Sequence, residues 1–298
     1  SSCAANGCTV RRLLNSWRRA AAFFLALGAF GGTQPAAAES YSFGVIPQRS
    51  AVLTAQYWNP ILDYAGRKAG VELLLKVARS GGESADAAAR GDYDFIFSNH
   101  IFQPRVASAG YRVLLSTRDE PITGQIVTLA DSPIRDLQQL AGHEVGFPSA
   151  SAFVGYIVPI DELQRRRIDV KPVFGGNQEG IMAQLKAGKI VAAGVNGKLM
   201  QAYAAREGFR IRVLWESVAF DDLPVAVHPR VPAAVATAVR DALADMAGEI
   251  DGISVLRASA ERIGQKPPYG FRRATQADYR SYADFYRATV LREFRASP

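Results

Sequence analysis

The stretch YSFGVIPQRSAVLTAQYWNPILDYAGRKAGVELLLKV, residues 41–77, decides the fold class. It opens with an apolar run, Tyr41–Ile46, that is short enough for a strand. A polar loop, Pro47-Gln48-Arg49-Ser50, ends that run. Leu53, Tyr57, Ile61 and Tyr64 then recur at helical spacing, and a second apolar run, Val71–Val77, follows a Gly. Strand, helix and strand in so few residues describe a crossover unit, and crossover units build sheets covered by helices.

The same alternation continues downstream. Strands are expected at Tyr93–Phe97, Arg112–Ser116, Gln125–Thr128, Glu144–Phe147, Val170–Phe174, Ile190–Val195, Arg210–Leu214 and Pro224–Val227, with a further helical face at Val235, Val239, Leu243 and Met246. The class is α/β, with parallel-rich sheets covered on both sides. After Val227 the pattern turns almost purely helical and ends in an aromatic stripe, Tyr279, Tyr282, Phe285 and Tyr286, expected to pack as core. A tail without strands must dock on something built earlier in the chain. Two lobes follow, residues 41–122 with 224–298 and residues 123–223, and the chain crosses between them near Thr123–Gly124 and Asp222–Pro224. Two crossings form a hinge, and a hinge between lobes leaves a cleft for a small ligand.

The chain has 298 residues, 48% hydrophobic, with a formal charge of +7. These values exclude a disordered or fibrous protein. The charge is unevenly placed. Arg11, Arg12, Arg18 and Arg19 precede the apolar run Ala20–Phe30, which is followed by Gly31, Gly32, Pro35 and Ala36-Ala37-Ala38. This order reads as an export signal over residues 1–38 with cleavage after Ala38. Its apolar run is about half the roughly 20 residues a bilayer span needs. Without it, 31 basic residues face 28 acidic ones, a charge of +3, and both cysteines, Cys3 and Cys8, are gone. A nearly neutral exported chain is disfavoured as a nucleic-acid binder.

In open α/β sheets ligands bind beyond the carboxyl ends of strands, where helices begin. Four polar loops sit there: Pro47-Gln48-Arg49-Ser50, Ser98-Asn99-His100, Pro148-Ser149-Ala150-Ser151 and Gly175-Gly176-Asn177-Gln178-Glu179. Each can supply hydroxyl or amide donors. Each Ser and Asn can equally be a plain helix cap. Arg49 can pair with an anionic ligand or stand as a solvated charge, and His100 can donate to a ligand or close its own helix start. His143 and His228 lie in turns and are expected at the surface. No metal-ligand spacing, phosphate loop, dinucleotide fingerprint, nucleophile elbow or marked carboxylate pair occurs, so no cofactor and no catalysis are expected.

Several motifs in order carry a family resemblance. Phe43–Ser50 with Trp58-Asn59-Pro60-Ile61-Leu62-Asp63-Tyr64, Gly91-Asp92-Tyr93-Asp94, Asp131-Ser132-Pro133-Ile134, Leu140-Ala141-Gly142, Gly155-Tyr156-Ile157-Val158-Pro159, Leu185–Lys189 and Leu214–Ser217 run over about residues 43–230. The chain resembles the phosphate/phosphite/phosphonate-binding periplasmic proteins of ABC transporters. That resemblance implies a type 2 periplasmic-binding-protein fold closing on a small oxyanion, with an ABC permease in the inner membrane as partner. The family's Ser-Thr-Ser-Gly phosphonyl loop corresponds to Ser149–Phe153, where Ser149 and Ser151 keep hydroxyls but two residues are inserted. Its Ser-His-Glu becomes Asn177-Gln178-Glu179, and Asn196 aligns with a family Asn or Asp. The same pocket would serve a sensing module for a membrane sensor kinase, and an enzyme on this fold is the third reading.

Overall fold

The computed structural model describes residues 38–296. The export signal read above falls on residues outside them, apart from Ala38.

Two mixed sheets organise the chain. The first contains β1 (Ser40–Val45), β2 (Glu72–Val77), β3 (Phe95–Phe97), β4 (Arg112–Thr117), β10 (Pro224–Val227) and β11 (Phe271–Arg273), in the order β11-β4-β10-β3-β1-β2. The second contains β5 (Gly124–Leu129), β6 (Glu144–Phe147), β7 (Lys171–Phe174), β8 (Ala192–Asn196) and β9 (Ile211–Glu216), in the order β7-β6-β8-β5-β9. Within each, the strands joined by crossover helices run parallel: β1 to β2 and β3, and β6 to β7 and β8. The strands that carry the chain between lobes, or return to a sheet late, run antiparallel: β10 to β3 and β4, and β5 to β8 and β9. The sheets are therefore mixed, not parallel-rich. The expected strand-free tail is also corrected, because β11 pairs antiparallel with β4 at the edge of the first sheet. Three residues are too few for an alternating pattern to stand out among helices.

The helices follow from local chemistry. α1 (Ala51–Ala69) starts where the Ser50 hydroxyl accepts from Leu53 N, and ends at Gly70 in the left-handed region. Its buried residues are Thr54, Trp58, Ile61, Leu62, Tyr64, Ala65 and Gly66, so Ile61 and Tyr64 of the expected face are buried while Leu53 and Tyr57 are half-buried and the stripe is centred one position round in its first half. Trp58 decides the rotation: its ring packs 5.2 Å from Phe43 and 4.8 Å from Phe97. Burying an aromatic of this size contributes about 2–3 kcal/mol and outweighs a half-buried tyrosine on the neighbouring face. α2 (Gly81–Arg90) is capped by Ser80, α4 (Gln178–Lys186) by Asn177 and α5 (Gly197–Arg206) by Asn196. The remaining helices are α3 (Val158–Arg165), α6 (Ala233–Asp245), α7 (Ile250–Arg262) and α8 (Arg280–Ala288). No described helix is long and apolar enough to cross a membrane.

The two crossing segments pair with each other. Ile122 N donates to Phe220 O at 2.8 Å and Phe220 N returns a bond to Ile122 O at 2.9 Å. Tyr279, Tyr282 and Tyr286 are fully buried, as expected of the aromatic stripe.

Candidate functional site

A cleft between the lobes, with about 430 Å³ of free space including its opening to solvent, is lined from strand ends on both sides. The first lobe contributes Ile46, Pro47 and Gln48 after β1, Gly81 at the start of α2, and Asn99 after β3. The second contributes Pro148, Ser149 and the turn Ala152–Gly155 after β6, Gly176, Asn177 and Gln178 after β7, and Asn196 at the end of β8. Ile122 and Leu223, one from each hinge segment, form the floor. None of these lining residues is charged.

The hydrogen bonds at the second-lobe helix starts fix which way the amides face. Asn177 Oδ1 accepts from Gly180 N at 2.7 Å, Gln178 Oε1 from Asn196 N at 3.0 Å, and Asn196 Oδ1 from Leu199 N at 3.2 Å. An amide whose oxygen is held by a backbone N–H has its NH₂ group left to donate. Gly155 packs against Gln178 Nε2 and the rigid Pro148 ring, where a Cβ would sit 2.7 Å and 2.9 Å away, so this turn needs glycine. Ser149 and Ser151 share a hydrogen bond of 3.1 Å and are both buried. Together with first-turn N–H groups that have no partner inside their own helices, these side chains make a cleft rich in donors.

Of the residues singled out in the sequence, Gln48, Asn99, Ser149, Asn177, Gln178 and Asn196 line this cleft. Ser50 and Ser98 act as caps, the latter accepting from His100 N at 3.0 Å. Ser151 stands behind Ser149, its carbonyl accepting from Gln103 Nε2 of the first lobe at 2.8 Å. His100 is fully buried with both ring nitrogens unpartnered, and burial together with the nearby Arg105 pulls its pKa down to about 3. Arg49 is not among the lining residues. Burial lowers its pKa, while Tyr57, Glu179 and Asp222 oppose that shift, so its charge faces a mixed cluster at the hinge side. In that cluster burial raises Asp222 to about 6, and Lys198 of α5 bridges the lobes to Asp119 at 3.1 Å. His143 is exposed and His228 half-buried against Tyr111. Among the described residues no group of His, Cys, Asp and Glu is placed to hold a metal ion.

Two contributors, Gly81 and Val154, escape a reading by loops. Gly81 follows Arg79-Ser80, a polar strand-end loop like the four considered, and that position was its signal. Phe153, the last residue of the loop Ser149–Phe153, and Val154 after it carry no polar signal. They line the cleft because residues Phe153–Ile157 form a π-helical turn leading into α3.

Two α/β lobes, a paired hinge and a donor-lined cleft at the carboxyl ends of the strands define a type 2 periplasmic-binding-protein fold. Residues 43–279 match the model of the family described as ABC transporter, phosphonate, periplasmic substrate-binding protein, and the chain belongs to that family. Members are solute-binding components of membrane transporters that work in the periplasm. Among solved structures, PhnD1 from Prochlorococcus marinus in complex with methylphosphonate is similar with a TM-score of 0.68 at 12% identity, over 84% of this chain and 97% of that one. A binding-protein component of an ABC phosphonate transporter from Pseudomonas aeruginosa gives 0.68 at 15% identity, over 81% and 83%. A Xanthomonas citri protein bound to ATP gives 0.63 at 18% identity, over 83% and 95%. No curated protein matches in sequence.

Proposed function

We propose that this chain binds a small oxyanion of the phosphonate, phosphite or phosphate type between its lobes and hands it to an ABC permease in the inner membrane. The observation that carries this reading is the orientation of the amides: Asn177, Gln178 and Asn196 each spend their oxygen on a backbone N–H, which leaves amino groups for an anion's oxygens. Ser149 and the helix starts add donors, and no lining carboxylate opposes them. The rest of the lining includes the apolar Ile46, Pro47, Ile122, Phe153 and Leu223. That division suits an oxyanion carrying a short apolar substituent, as methylphosphonate does in the Prochlorococcus structure.

In this reading residues 1–38 are an export signal removed after Ala38, and residues 41–122 with 224–298 move as one lobe against 123–223. Closure follows from contacts that both lobes make to the ligand only when they meet. The test is a thermal-shift series with methylphosphonate, phosphite, phosphate and an alkylsulfonate, followed by calorimetry, since a ligand that binds only the native state raises the melting temperature with its saturation. Methylphosphonate is expected to give the largest shift. A series in which no oxyanion moves the transition rejects the assignment.

A further inference from the structure

The aromatic tail does more than fill a core. At its start Tyr279 stacks 5.0 Å from Phe102 of the first lobe, and Tyr282 lies 4.6 Å from the same ring. At its other end it is bound to the second lobe. Thr289 Oγ1 donates to Asp161 Oδ1 of α3 at 2.6 Å, Val290 N donates to the same oxygen at 2.8 Å, and Arg165 Nη2 donates to Ala288 O at 2.7 Å. Asp161 is buried and also accepts from Arg165 Nε at 2.7 Å, while the fully buried Thr289 accepts in turn from Leu291 N at 3.1 Å. The network is satisfied at every member, which is the condition for such a buried polar contact to specify geometry. Between the two ends the tail covers Phe153, whose ring centroid lies 4.4 Å from Tyr282, 5.1 Å from Phe285 and 5.5 Å from Tyr286. Phe153 lines the cleft.

We infer that α8 and the residues after it are a third connection between the lobes: a strap, fastened at Asp161 and Thr289, that restrains opening and positions Phe153 against the ligand. The two hinge segments alone allow the lobes to part about Ile122 and Phe220. A strap gripping Phe102 on one side and Asp161 on the other must release one of its ends first. Its bonds therefore favour the closed arrangement, and ligand affinity rises with the population of that arrangement. Asp161 and Thr289 act here as positioning residues, since neither lines the cleft.

The inference rests on the two-lobe closing reading above, and its test has an arm that needs no ligand. In Thr289→Val, small-angle scattering of ligand-free protein is expected to give a larger radius of gyration than wild type. The Kd for methylphosphonate is expected to rise up to about tenfold, the measure of one buried hydrogen bond. Thr289→Ser, which keeps the hydroxyl, should restore both. If Thr289→Val does not fold, Arg165→Gln, which removes the bond to Ala288 O and the bond to Asp161 Oδ2 but leaves the Thr289 hydroxyl in place, is read in the same way. An unchanged radius in the folded variant, with only a lower melting temperature, overturns the inference and leaves the strap a plain structural contact. Failure of wild type to bind methylphosphonate would strike the ligand assignment, and the scattering comparison would still decide the strap.

Discussion

Gly81, in the first turn of α2, and Ser149, just beyond β6, meet so closely across the cleft that a Cβ on the glycine would lie 2.4 Å from the serine Oγ and 3.1 Å from its Cβ. The contact joins the two lobes at the site itself. Within α2 an alanine costs nothing, since it is the better helix former. Gly81→Ala is therefore expected to leave the melting temperature at or above wild type while weakening ligand binding about tenfold, because the side chain obstructs only the approach of the lobes. Calorimetry alongside thermal denaturation separates the two effects. Weaker binding that comes with a matching loss of stability would refute this account.

Ser149 and Ser151 share one hydrogen bond, so either hydroxyl can partly stand in for the other. The double variant Ser149→Ala/Ser151→Ala is expected to abolish oxyanion binding in calorimetry while circular dichroism stays native. Normal binding by the double variant would remove both serines from the site.

Gln178 separates structure from binding in a single substitution. Gln178→Glu keeps an acceptor for Asn196 N but replaces the free NH₂ with a negative oxygen. Stability at pH 7 should change by less than about 1 kcal/mol, whereas bringing like charges together costs several kcal/mol in affinity. Gln178→Leu should do the reverse to stability, losing about 1–3 kcal/mol from the stranded Asn196 N–H. Urea unfolding and calorimetry on both variants make the comparison.

His100 predicts a pH dependence. Its native pKa, pulled down to about 3 by burial and Arg105, lies below the ordinary histidine value of 6.5, so the unfolded chain binds the extra proton first. Its contribution is complete above pH 6.5 and is lost as pH falls toward 3, by about 2–3 kcal/mol at pH 4.5. Asp222 runs the other way: burial raises it from 3.8 to about 6, so its contribution falls as pH rises through that window. In urea titrations between pH 4.5 and 7.5, His100→Gln should flatten the acid side of the stability curve, and Asp222→Asn should lift the neutral side. A wild-type slope retained in His100→Gln would assign the acid loss to other groups.

The strand ends were legible because apolar runs stop at polar loops, and the residues that stop them, Gln48, Asn99, Ser149, Asn177 and Asn196, are those that reach the cleft. Ten of the strands could be read for the same reason. Phe271–Arg273 could not, since its pairing with β4 is decided by a partner about 150 residues away in sequence. Phe153 fell within the loop Ser149–Phe153 that the resemblance pointed to, whereas Val154 beside it was hidden, because nothing local distinguishes an apolar residue facing a ligand from one facing core. Arg49 was left open between an anion's partner and a solvated charge. It is the strongest cation in the polar loops, yet its surroundings are Tyr57, Glu179 and Asp222, which belong to three separate parts of the chain.

The absence of charge from the cleft lining has a consequence for how such a receptor performs outside the cytoplasm. Side-chain ion pairs at a surface fade as salt screens them over roughly 10 Å at 0.1 M. Amide, hydroxyl and helix-start donors are enclosed by Phe153, Ile122 and Leu223 and act over a single bond length, so mobile ions scarcely reach them. A grip of this kind depends less on the ionic strength of the surroundings than a surface ion pair does, and it leaves no lining countercharge stranded when the cargo departs.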